Sequence, residues 1–108
     1  MQGFLFIFVT AASEQEGGRI AKALVEEGLA ASVNIIPHIR SIYRWQGKIW
    51  DEAETLLIIT SRQERFERIR RRVKELHSYD VPQIISIRVD KGDAHYLKWI
   101  EAVTTQGD

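Results

Sequence analysis

From Phe4 to Val9 every position is apolar and Thr10 closes the run, which is of strand length and rich in Phe, Ile and Val. Such a run predicts a strand covered on both faces. The period then changes. Ser13 and Glu16 form a capping-box pattern, and Ile20, Ala21 and Leu24 recur at helical spacing, so a helix is predicted to about Glu27 with that stripe on the sheet. Gly17 and Gly18 weaken its first turns, and Gly28 is placed to stop it, with Leu29 supplying the apolar contact that follows. Ala30 to Tyr43 reads as one long extended stretch, and Pro37, which cannot donate to a ladder, puts it at an edge or at a bend or bulge. Gln46-Gly47 is a turn signal, and Ile49-Trp50 begins the return arm.

Asp51 to Glu54 interrupts that arm with charge before a buried strand from Thr55 to Ser61. Ser61 and Glu64 form a second capping-box pattern, followed by Phe66, Ile69, Val73 and Leu76 at helical spacing. Pro82 ends that region. From Gln83 to Asp90 the pattern alternates, Ile85, Ile87 and Val89 on one face and Ile84, Ser86 and Arg88 on the other. Asp93 is placed to cap a last helix carrying Leu97, Ile100 and Val103.

The predicted order is strand, helix, strand, strand, helix, strand, helix, with no repeat, linker or low-complexity segment. Two right-handed crossovers around a central hairpin give an α+β, ferredoxin-like βαββαβ sandwich with an extra C-terminal helix, a single domain over residues 1–108. Both main helices then cover one sheet face. The other is left for the last helix, another subunit or both. The hairpin arms are also longer than a domain of this size needs, and long edges recruit partners. A closed homo-oligomer is expected.

Composition narrows the function. No apolar run approaches the roughly 20 residues of a membrane span, and no signal-peptide pattern precedes the first strand, so a cytoplasmic protein with no membrane partner is expected. The absence of cysteine removes disulfides, thiolate metal sites and cysteine nucleophiles. Fifteen basic residues balance fifteen acidic ones, so no global field draws nucleic acid. Abundant charge with scarce Asn, Met and Cys is the mix of heat-stable proteins.

Two segments carry candidate chemistry. Ser41 to Lys48 packs two aromatics, a turn glycine and a lysine between two strand-like runs, and alternation puts Tyr43 and Trp45 on one side. They serve either as packing or oligomer anchors or as the wall of a ligand site. Lys48, Glu52 and Glu54 form either a polar pocket or a surface ion-pair cluster. The second segment is His77-Ser78-Tyr79-Asp80-Val81-Pro82. His77 at a helix end suits the helix dipole, or else acts as a metal ligand or hydrogen-bonding pocket group. His38, His77 and His95 show no ligand spacing. The basic run from Arg68 to Lys74 is interleaved with Glu64, Glu67 and Glu75 and reads as a solvated helix face. The third strand also lacks the stacking aromatics of RNA-recognition sheets. No nucleophile–base pattern and no Gly-rich phosphate loop is present, so an enzyme is not expected.

Four motifs in order resemble a known family: Leu29-Ala30-Ala31-Ser32-Val33-Asn34-Ile35-Ile36-Pro37, Ser41-x-Tyr43-x-Trp45-x-Gly47-Lys48, His77-x-Tyr79-x-Val81-Pro82 and Tyr96-Leu97-x-Trp99 are similar to those of the CutA divalent-cation tolerance proteins. The resemblance runs from Phe4 to about Val103. It implies a tight, cytoplasmic homotrimer, shaped like the PII signalling trimers and linked to tolerance of copper and other divalent ions, with no firm enzymatic activity. It also implies an inter-subunit ligand pocket gathering Tyr43, Trp45, Lys48, Glu54, His77 and Tyr79. Some members are described as holding copper through cysteines and a histidine. The matching positions here are Val9, Ser32 and His77, so only the histidine remains, and any copper or other divalent cation is expected to bind weakly. A trimeric scaffold without ligand, and an enzyme using Lys48, Glu54, Tyr79 and His77 in a shared cleft, are the alternatives.

Overall fold

The computed structural model describes residues 3–105; the other residues of the expected 1–108 domain, Met1, Gln2 and 106–108, lie outside the described residues. Eight elements follow one another: β1 (Phe4–Ala11), α1 (Glu14–Glu26), β2 (Ser32–Trp45), β3 (Lys48–Arg62), a 3-10 turn (Gln63–Arg65), α2 (Phe66–Leu76), β4 (Ile84–Arg88) and α3 (Ala94–Val103). The strands form one antiparallel sheet in the order β2-β3-β1-β4. This is the βαββαβ sandwich with an added helix that the periodicity predicts.

α1 and α2 lie on one face. Leu5, Ile7 and Val9 of β1, Leu57 and Ile59 of β3, Ile20 and Leu24 of α1 and Ile69 and Val73 of α2 form the main core. Half of the predicted α1 capping box forms: Ser13 Oγ accepts from the Glu16 amide at 3.0 Å, but the Glu16 carboxylate turns to the Ala12 and Ser78 amides and not to that of Ser13. Gly28, at φ 72°, is in the left-handed conformation that lets the Leu29 and Ala30 amides return to the Leu24 carbonyl. Pro37 is on an edge strand, and the β2–β3 register shifts between Ile36 and Ile39, where His38 takes φ 62°. The bulge absorbs the missing donor.

Three local expectations are corrected. The charges of Asp51–Glu54 do not interrupt β3, which runs unbroken to Arg62. Beyond β1 the hairpin has no third strand beside it, and each carboxylate finds a partner: Arg40 binds Asp51 through two bonds of 2.8 and 2.6 Å, Glu52 accepts from Tyr43, and the buried Glu54 accepts from Tyr79. The Ser61/Glu64 capping box does not form. The ladder with β1 continues to the pair Phe4–Arg62, so Ser61 is still in the strand and its hydroxyl donates to the Leu29 carbonyl at 2.6 Å. Glu64 pairs with Arg62 instead, and α2 begins only at Phe66. The last strand is Ile84–Arg88, shorter than Gln83–Asp90, because its ladder with β1 spans only Leu5 to Val9.

The second face is mostly bare. Phe6 and Phe8 of β1 stand opposite Thr60 and Ile58 of β3 and Ile87 and Ile85 of β4, and Leu56 and Ile36 continue the apolar surface. α3 covers one end only, where Ile100 and Leu97 pack on Phe4, Ala31 and Val89. Two buried arginines fasten it: Arg62 donates to Thr104 Oγ1 at 2.8 Å and to the Thr104 carbonyl at 2.9 Å, and Arg65 Nε donates to that same carbonyl. Cations at a helix C-terminus meet the negative end of its dipole.

Candidate functional site

β1 pairs with β3 only from Thr55 to Arg62, so the hairpin of residues 39–54 projects past the sandwich as a two-stranded arm. A tight turn closes it, Gln46 and Gly47 both having positive φ (52° and 75°). Alternation sets Trp50, Glu52 and Glu54 on the face of β3 that carries Leu56, and Tyr43 stands directly opposite Trp50. At the base of the arm the chain leaving α2 brings Tyr79 alongside. The result is an open cleft of about 980 Å³ lined by Thr10, Tyr43, Trp45, Trp50, Glu52, Glu54 and Tyr79, with Arg40 and residues 80–83 at its margins.

Two tyrosine–glutamate pairs form its floor. Tyr43 donates to Glu52 Oε1 at 2.6 Å and Tyr79 donates to Glu54 Oε2 at 2.7 Å. The Glu52 hydrogen bond, with burial and the charges of Glu52 and Glu54, pushes the Tyr43 phenol up to about 12. Burial, then the Glu54 bond and the same carboxylate charges, raises Tyr79 further. Both phenols therefore remain donors at neutral pH. Spectrophotometric titration at 295 nm should find the Tyr43 component near pH 12 in the folded protein. It should return toward the ordinary value of 10 in Glu52→Gln. A wild-type protein in which every tyrosine ionises near pH 10 contradicts this geometry.

Trp50 Nε1 donates to the Trp45 carbonyl at 3.2 Å, which fixes the indole across the turn, and Lys48 Nζ lies 4.2 Å from the Trp50 ring centroid. That places an ammonium against an aromatic face. Lys48 is at the rim and does not line the cleft.

His77 lies below the cleft, its side chain fully buried. The Tyr79 amide donates to Nδ1 at 3.0 Å, so the ring proton is on Nε2, which donates to the Thr10 carbonyl at 2.7 Å. Its ring packs on that of Tyr79 at a centroid distance of 4.7 Å. Glu16 completes the knot, Oε2 accepting from the Ala12 amide at 3.1 Å and Oε1 from the Ser78 amide at 3.2 Å. Burial alone raises the Glu16 pKa, but the Ser78 side chain, the Ala12 amide, the neighbouring His77 and the Ser78 amide together outweigh it and hold the carboxyl below its ordinary value of 4.5. The knot fixes where Tyr79 reaches Glu54.

Of the residues singled out by resemblance, Tyr43, Trp45, Glu54 and Tyr79 line one cleft, Lys48 sits at its rim and His77 beneath it. Trp50 and Glu52 join them, which the two-residue alternation back from Leu56 signals. The role of Glu16 had no sequence signal beyond its capping-box position. The copper donor set does not assemble within one chain. Val9 is buried among the helices, Ser32 pairs with Thr60 on the opposite face of the sheet, and both His77 nitrogens are engaged. Among the described residues no group of three His, Cys, Asp or Glu side chains is arranged to hold a metal ion.

The sandwich and its arm-borne cleft define a small α+β protein, a four-stranded sheet under two helices that carries one projecting hairpin. The chain belongs to the CutA1 family: the CutA1 divalent ion tolerance protein profile matches residues 5–103. The divalent-cation tolerance protein CutA of Thermus thermophilus is 44% identical over 98 residues, covering 91% of this chain and 95% of the relative. Protein CutA 1, chloroplastic, of Oryza sativa is 38% identical over 102 residues, 94% of this chain; the chain spans only 58% of that relative's length. Among solved structures, the periplasmic divalent cation tolerance protein CutA from Archaeoglobus fulgidus matches with a TM-score of 0.91 and 42% identity, covering 94% of this chain and 98% of that one. Among the described residues no helix is long and apolar enough to cross a membrane.

Proposed function

We propose that this chain acts in divalent-ion tolerance as a cytoplasmic, closed homotrimer, a binding or signalling module whose cleft, completed at the subunit boundary, holds a small ligand or ion. The observation that carries the reading is the uncovered sheet face. Ile85 and Ile87 are more than half exposed, and they continue through Phe6, Phe8, Ile58 and Leu56 to the base of the arm, where the cleft opens. A contiguous apolar face of this kind is an interface in a water-soluble protein. The arm adds open strand edges beside it. Further copies of the chain that cover the face also wall the cleft. In this reading His77 is a structural tie and not a copper ligand, because binding a metal through either nitrogen breaks a bond that holds the Tyr79 loop.

Sedimentation at micromolar concentration tests the assembly. The wild-type chain is expected as a single species of three chain masses, and Ile87→Asp, which places a charge in the apolar face, is expected to sediment as a folded monomer. A wild-type protein that is monomeric and folded under those conditions overturns the proposal.

A further inference from the structure

We infer that the cleft on the arm is selective for a small organic cation, a primary ammonium carried on an apolar or aromatic body. This rests on the reading of the cleft as a ligand site and names the chemistry of what enters it. Charge comes first. Of the basic side chains near the cleft, Arg40 is held in two bonds by Asp51 and Lys48 lies on the Trp50 ring, whereas Glu52 and Glu54 pair with no basic side chain among the described residues. Their partners are tyrosine hydroxyls, which donate a hydrogen bond and leave the negative charge in place.

The second observation is the state of Glu54. It keeps 6% of its surface exposed, yet one carboxylate oxygen carries the Tyr79 bond and the other, Oε1, has no hydrogen-bond partner among the described residues. No buried side-chain oxygen among the described residues lacks a partner, so Oε1 is open to water, and Glu54 lines the cleft, where its carboxylate suits a donor that brings positive charge. The walls complete the match. Trp45, Trp50, Tyr43 and Tyr79 line the cleft, and aromatic rings favour an ammonium over a neutral or anionic group of the same size. The chain itself lays one ammonium, Lys48 Nζ, on the Trp50 ring. A bare metal ion is a poorer fit. The phenol protons point at the carboxylate oxygens, and hard cations take six or more oxygen ligands that this floor does not supply.

Calorimetric titration of the assembled protein at pH 7 and low salt with benzylamine, benzyl alcohol and benzoate tests the inference. Benzylamine is expected to bind saturably and to weaken as salt is added, while its neutral and anionic counterparts do not bind. Glu54→Gln is expected to weaken benzylamine at least tenfold, and Glu52→Gln, a change at the more open carboxylate, less than that. Should Glu54→Gln fail to fold, the wild-type protein still decides, through benzylamine-specific shifts of the Trp50 indole NH resonance. Equal binding of benzyl alcohol or benzoate overturns the cationic selectivity and leaves the cleft as a ligand site. Silence from all three probes overturns the inference, and trimeric sedimentation then still upholds the assembly separately.

Discussion

Glu16→Ala is expected to lower the stability of the protein by about 3 kcal/mol, a loss greater than an ordinary helix-cap substitution causes. Glu16 is buried and its two oxygens satisfy the amides of Ala12 and Ser78, which belong to the β1–α1 turn and to the loop after α2. Removing the carboxylate takes the charged acceptor from two part-buried amides, and a hydrogen bond to a charged group is worth about 1.5–3 kcal/mol. The measurement is a urea transition at fixed protein concentration, read as a shift in midpoint with unchanged slope. The pH dependence follows from the depressed pKa. A carboxyl held below its unfolded value stabilises the protein fully above about pH 4.5 and loses that contribution as the pH falls through the folded value. Wild type is therefore expected to lose stability with acid more steeply than Glu16→Gln. Parallel acid profiles for the two, or an Ala variant within 0.5 kcal/mol of wild type (about the scatter of surface substitutions), count against the knot.

Arg62→Ala is the second large effect. Its guanidinium is buried and holds the Thr104 hydroxyl, the Thr104 carbonyl and Glu64, so it ties the end of α3 to the end of β3. Truncation is expected to cost about 3 kcal/mol, within the range for removing one partner of a buried charged network. Unlike the Glu16 change it acts locally. Hydrogen exchange should accelerate at the amides of residues 97–104 while those of β1 and β3 keep their protection. Arg62→Lys is expected to rescue little, because a single ammonium does not span three acceptors in the fork geometry. Uniform acceleration across the sheet, or full rescue by lysine, contradicts the clamp.

Much of this architecture was readable from periodicity. The apolar run of β1, the stripe Ile20, Ala21, Leu24 and the stop at Gly28 each obey a local rule, and local rules survive where the surrounding fold agrees with them. The Ser61/Glu64 capping box failed because a competing partner was long-range: the β1 ladder claimed Ser61 and Arg62 claimed Glu64, and neither is visible in a short window. The charged stretch Asp51–Glu54 misled for the opposite reason. Charge ends a strand whose faces are covered by apolar neighbours but not one whose carboxylates find an arginine or tyrosine partner, and nothing in those four residues reveals that β1 has already ended. Half of the cleft was legible, since alternation aligns Tyr43 with Trp45. Its other half arrives from Tyr79, which Glu16 and His77 position across some sixty residues of sequence.

The location of the three indoles has a practical consequence. Trp45 and Trp50 are on the projecting arm, and Trp99 is on α3 with 42% of its surface open; none belongs to the main core beneath α1 and α2. Intrinsic emission from this molecule is thus a gauge of its periphery. A red shift will mark loosening of the arm or of the final helix while circular dichroism still registers an intact interior, and quenching by a solute will grade how open those rings are to water.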